Sequence, residues 1–215
     1  CVQAYLACVA FVDHQVGRVL DALDNGPHAG NTVVVLFSDH GYHLGEKGRV
    51  SKHSLWEESA RVPLIVAPAK SQGRQFGKVG QRCAKPVGLI DLYPTMLEMC
   101  GLPAKKSNQG ESLVPLLKNP SADWRFATLT TYARGNHSLR SERYRYLRFE
   151  DGSEELYDHA DDPNEWVNLA ARPKHAKLLE RFRKELPTKE APYHPAVRSV
   201  SRIILRMRML RARQP

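Results

Sequence analysis

Apolar residues recur at Leu6, Val9, Val12, Val16, Val19, Leu20 and Leu23, with Asp13, Gln15 and Arg18 off that stripe. The spacing predicts one helix over Tyr5–Leu23 with a single apolar face. Asp24-Asn25-Gly26-Pro27 stops it. Thr32–Phe37 is a continuous β-branched and apolar run without alternation, which predicts a strand buried on both faces, as in a parallel sheet. Val62–Val66 predicts a second such strand and Val87–Ile90 a short third. The third leads into a helix over Asp91–Cys100, capped by Asp91 and stopped by Gly101.

Past Pro120 the texture changes. Ala127–Tyr132, His137–Phe149 and Glu155–Tyr157 predict strands, and Asp151-Gly152 is a hairpin signal. From Arg143 to Arg148 polar and apolar residues alternate, which predicts a half-buried antiparallel strand. Asp161-Asp162-Pro163-Asn164 predicts a turn. Pro173–Leu186 reads as an amphipathic helix with Pro173 in its first turn. The pattern therefore predicts an α/β region over residues 1–120, a small antiparallel sheet with a helix over 121–190, and a tail over 191–215.

Charge sharpens that division. The net charge is +9, but six arginines and no acids follow Glu190, so the rest of the chain carries only +3. This argues against a nucleic-acid-binding surface on the body of the protein. In the tail, Val200, Ile203, Ile204, Met207 and Leu210 share a helical face opposite Arg198, Arg202 and Arg206. That predicts either a weak contact with an anionic membrane surface or an extension with no role. Cys1, Cys8, Cys83 and Cys100 lack C-x-x-C spacing. They predict buried free thiols, or one bridge between Cys83 and Cys100. No apolar run approaches the roughly 18 residues of a membrane span.

Candidate chemistry concentrates in SDHGYHLGEKGRVSKHSLWE, residues 38–57. Ligands of an α/β sheet bind beyond the carboxyl ends of its strands. Asp39 and His40 stand there, with Gly41 expected to permit a sharp turn. Past the strand end both side chains can reach one point. A carboxylate and an imidazole meeting there suit a divalent metal, zinc or manganese on donor chemistry. The alternative is an Asp39 cap and a satisfied polar His40. His43, Glu46, Lys47, Lys52 and His53 crowd the loop that follows. Lys52 is the candidate for gripping an anionic oxygen, against ordinary solvated surface.

NTVVVLFSDHGYHLGEKG, the K-x-S-L-W-E-E-S-A-R-V-P-L-I run, LIDLYPTMLEMCGLP and RSERYRYLRFEDGSEELYDHADDPNEWVNLA together resemble the sulfatase family, in its iduronate-2-sulfatase-like branch. The resemblance covers about Tyr5–Pro187. It implies part of an alkaline-phosphatase-like α/β sandwich, a mostly parallel sheet flanked by helices, followed by the small antiparallel sheet. It also implies hydrolysis of sulfate esters of sulfated carbohydrates, with a formylglycine nucleophile and bound calcium. By position, Asp39 and His40 would be calcium ligands, and Lys52 would contact the sulfate and its bridging oxygen. His43, together with Arg134, His137 and Arg140 of the small sheet, would meet the substrate. For those three, plain sheet polarity is an equal reading. A periplasmic, extracellular or lysosome-like compartment is implied too.

One departure bears on all of this. The formylglycine arises within C-x-P-x-R or S-x-P-x-R, and no such segment occurs here. The chain is thus expected to be the C-terminal part of a sulfatase, unable to turn over by itself. A metal-dependent phosphoric ester hydrolase of the same superfamily, and a non-catalytic sulfated-glycan-binding fragment, are the alternatives.

Overall fold

The computed structural model describes residues 1–192. The basic tail, with Arg198–Arg213, lies outside the described residues. In chain order the elements are α1 (Val2–Asp24), β1 (Val34–Phe37), the single turn α2 (Glu57–Ala60), β2 (Leu64–Ala67), α3 (Leu92–Met99), α4 (Val114–Lys118), β3 (Thr128–Thr131), β4 (His137–Arg140), β5 (Tyr144–Arg148), β6 (Glu154–Asp158) and α5 (Ala176–Glu185). They form two compact units, Cys1–Thr128 and the residues from Leu129 onward.

In the first unit, α1 matches the predicted helix. It ends where Asn25 and Gly26 donate their N–H groups to the carbonyls of Asp21 and Leu23. Its stripe is mostly uncovered: Leu6, Val9, Val12, Val19 and Leu20 are exposed, as is Phe11 beside them, Val16 and Leu23 are half-buried, and no residue of the helix is buried. A small core forms instead from Phe76, Met99 and Val114, with Val33, Val66 and Leu117 against it.

The parallel sheet expected here is not present among the described residues. β1 pairs with β2 antiparallel, in a register running from Val34 opposite Ala67 to Phe37 opposite Leu64. An apolar run reports burial, not direction, so the sequence pattern could not separate the two pairings. Nor is β1 buried on both faces, since Leu36 and Phe37 are exposed. The predicted third strand is a 3₁₀ turn over Leu89–Asp91. The Asp91 side chain does not cap α3 as expected; it bonds other partners. Fully buried, it accepts the N–H groups of Gly88 (2.8 Å) and Glu111 (3.0 Å) and pairs with Arg125 Nη2 at 2.7 Å. The four cysteines are free, as expected, but exposed rather than buried.

In the second unit, β3-β4-β5-β6 form one sheet. The single strand expected over His137–Phe149 is two. Ser141 Oγ accepts the N–H of Tyr144, turning the chain so that β4 pairs antiparallel with β5, His137 opposite Arg148. The Asp151-Gly152 hairpin joins β5 to β6, with Gly152 at φ +83°, a region glycine enters without strain. α5 lays Leu179 and Phe182 on the sheet, where the rings of Phe182 and Tyr146 stack 5.4 Å apart. Each such side chain is worth roughly 1.5–3 kcal/mol of burial. β5 departs from half-burial: Arg145, Tyr146 and Leu147 are all buried.

Candidate active site

The segment of residues 38–61 leaves β1, runs out and returns through α2 to β2. Its two ends are held at Gly41, whose N–H donates to Ser59 O at 2.9 Å. A Cβ at Gly41 would collide with the Glu58 carbonyl. Glycine is thus needed for a close approach of two backbones, not for the sharp turn expected of it. Farther along, Gly45 and Gly48 have positive φ, as does Lys47 at 52°.

Three of the predicted residues converge at the mouth of this segment. His40 Nδ1 lies 2.9 Å from the Gly41 carbonyl, which can only accept, so the ring carries its proton there. Nε2 is left with a lone pair. Lys52 Nζ donates to it at 2.8 Å, and Asp39 Oδ2 stands 3.7 Å away. The Asp39 side chain is 83% exposed and that of His40 37%. A carboxylate and an imidazole lone pair thus meet at one accessible point beside an ammonium.

His43 lies elsewhere. It has no exposed surface, so it cannot face a substrate as expected. Nε2 lies 2.7 Å from Ser54 Oγ, and Nδ1 lies 3.9 Å from Glu58 Oε2. The ring edge meets Trp56, over which Lys47 Nζ sits 4.9 Å from the ring centroid. Burial pushes the His43 pKa below its ordinary value, with Glu58 pulling the other way. Ser54 and Glu58 were missed in the sequence. Only the repeat of polar residues around Lys52 hinted at them.

The candidates of the second unit are held by their own neighbours. His137 is buried between Thr131 Oγ1 (2.9 Å) and Glu190 Oε1 (3.0 Å). Glu190 also accepts the Gly135 N–H at 2.8 Å and lies 3.5 Å from Arg134 Nε. The bond from His137 holds the Glu190 carboxyl below its usual range. Arg140 donates to the Ser141 carbonyl and to His159 Nδ1 at 3.0 Å. A guanidinium can only donate. His159 therefore accepts at Nδ1 and donates from Nε2 to Glu165 Oε1 at 2.9 Å. Arg145 Nε reaches the same oxygen at 2.6 Å, while its Nη1 donates to Ser138 Oγ.

No helix among the described residues is long and apolar enough to cross a membrane. The sulfatase family model matches residues 1–102. A sulfatase of Formosa agariphila is 47% identical over 89% of this chain and 37% of its own length. A Δ4,5-hexuronate-2-O-sulfatase of Bacteroides thetaiotaomicron is 33% identical over 85% of the chain and 39% of its own length. A protein solved in complex with its substrate D-glucosamine-2-N,6-O-disulfate superimposes with a TM-score of 0.69 at 29% identity, over 85% of this chain and 38% of that one. The chain therefore spans well under half the length of the relatives it matches. Residues 1–102 thus match the sulfatase family, and the chain as a whole is similar to part of each of these sulfatases.

Proposed function

We propose that this chain is the C-terminal part of a calcium-dependent sulfatase of the iduronate-2-sulfatase-like branch, acting on sulfate esters of sulfated carbohydrates. The observation that supports this most is the convergence of Asp39, His40 and Lys52. The donor set fits a metal: a ligating histidine characteristically donates its other ring N–H to a carbonyl, as His40 does to Gly41. Asp39 adds the charged oxygen that a hard cation prefers. Asp39 and His40 would hold calcium with oxygen ligands supplied from outside this sequence. When bound, calcium supplies a Lewis acid for the sulfate oxygens.

Lys52 would do the rest of the work in this chain. Its ammonium carries three donors and no acceptor. It would bond a sulfate oxygen and the bridging oxygen, and stabilise charge growing on the leaving group. The Nε2 lone pair that Nζ engages at 2.8 Å is the one a metal held by His40 would take, which would turn the ammonium toward the sulfate. In the second unit, taken by itself, Arg134, His137 and Arg140 would bind anionic groups of a sulfated sugar, with Glu190 lying between His137 and Arg134. The formylglycine nucleophile would come from sequence outside these residues, and the compartment would be periplasmic, extracellular or lysosome-like. Lys52→Ala in the complete protein, assayed on a sulfated disaccharide, tests the reading. We expect turnover to fall by about 100-fold or more. A near-normal rate removes Lys52 from the site. Faster release of phosphate than of sulfate from matched esters would favour the phosphoric ester hydrolase instead.

A further inference from the structure

We propose that His43 is a positioning residue that brackets Lys52 and sets its ammonium against His40. The inference rests on the role of Lys52 proposed above. His43 grips the loop on both sides of that lysine. Before it, the His43 backbone N–H donates to Ser51 O at 2.9 Å. After it, the His43 ring meets Ser54 Oγ at 2.7 Å, and the Ser54 N–H donates to Lys52 O at 2.8 Å. Residue 51 is thus fixed to the His43 backbone and residue 54 to its buried ring, and the exposed side chain between them has little backbone freedom.

Glu58 sets the ring's proton. Its Oε2 faces Nδ1 at 3.9 Å, and both atoms are buried without a hydrogen-bond partner. An N–H directed at the carboxylate is favoured there over a lone pair. Nδ1 then carries the proton, and Nε2 accepts from the Ser54 hydroxyl. Glu58 in turn is held by the close backbone approach at Gly41, one residue from His40. The ring therefore ties the stretch that follows His40 to the stretch that carries Lys52. It needs no contact with substrate to influence the reaction.

Residue-resolved lysine acylation in the complete protein, read by mass spectrometry after an acetic anhydride pulse, tests this without reference to turnover. His43→Ala should raise Lys52 labelling about threefold relative to Lys70 and Lys78, the loss of one ordinary hydrogen bond's restraint. His43→Gln, which keeps a polar atom at the Nε2 position, should restore most of the protection. Ser54→Ala should behave like His43→Ala and carries the test if that variant fails to fold. Unchanged Lys52 labelling in folded His43→Ala or Ser54→Ala protein overturns the proposal. In kinetics, His43→Ala should lower kcat/KM about tenfold or more and have no further effect in a Lys52→Ala background. Additive losses would mark a merely structural role and also overturn it. If Lys52→Ala itself leaves turnover intact, the sulfatase role of Lys52 fails, while labelling still decides whether His43 positions it.

Discussion

The segment of residues 38–61 and the β4–β6 sheet use charge in opposite ways. In the segment, Asp39 and Lys52 are exposed and His40 is partly so, and the three meet at an open point. In the sheet, Arg145 and Glu165 are 3% and 0% exposed and are bonded to one another, to His159 and to Ser138. Asp158 takes a two-pronged bond from Arg143. Open charges keep the capacity to bind something else. Buried charges must spend that capacity on each other, because leaving one unpaired costs several kcal/mol. Substitution should therefore hit activity in the first region and stability in the second.

The largest effect is the loss of turnover with Lys52→Ala. The comparison adds that its urea midpoint should shift by no more than about 0.5 kcal/mol of stability. A large stability loss would blur the distinction. Glu165→Ala should do the reverse, costing about 3–5 kcal/mol in urea unfolding because it strands a buried Arg145. A cost below about 1 kcal/mol would show that water reaches the network. Glu165 also sits at φ +59°, so Glu165→Gly should recover about 1 kcal/mol relative to Glu165→Ala.

A pH titration gives a further test. Arg183 and Tyr146 bond Glu154, and chiefly Arg183 lowers its pKa from 4.5 to about 2. A depressed carboxyl contributes stability that is complete above its unfolded pKa and is lost as pH falls through the folded one. Unfolding free energy should thus drop between pH 4.5 and 2. With Arg183 partly exposed, the expected drop is about 2 kcal/mol. Arg183→Met should flatten that dependence. The smallest effect separates the apolar surfaces. Val9→Ser on exposed α1 should change stability by under about 0.5 kcal/mol, where Leu156→Ala in the sheet should cost about 2–5 kcal/mol.

What the sequence made legible follows from the range of each interaction. Helix α1, strands β1, β2, β3 and β6 and the Asp151-Gly152 hairpin rest on local spacing and stand where it puts them, whereas the strand expected over Val87–Ile90 is a 3₁₀ turn and that over His137–Phe149 divides into β4 and β5. The direction of β2 against β1 does not, since pairing is decided by the path of residues 38–63. Arg145 followed the polar-apolar alternation of a solvated strand, yet its partner Glu165 lies 20 positions on and is invisible to periodicity. Asp39, His40 and Lys52 were singled out by strand-end logic and by resemblance to sulfatases, and the structure brings them together. His43 was drawn in by the same crowding of polar residues. Only coordinates reveal that its ring points inward, to Ser54 and Glu58.

The bare stripe of α1 bears on how the chain behaves as a colloid. Short-range attraction between molecules grows with contiguous apolar surface, and Leu6, Val9, Val12 and Val19 leave such a surface in the solvent. Long-range repulsion from a net charge of +9 opposes it. Added salt shortens that repulsion to about 8 Å at physiological ionic strength and leaves the attraction in place. Solutions of this chain should therefore cloud at lower protein concentration as salt is raised, and a polypeptide that covers α1 should clear them.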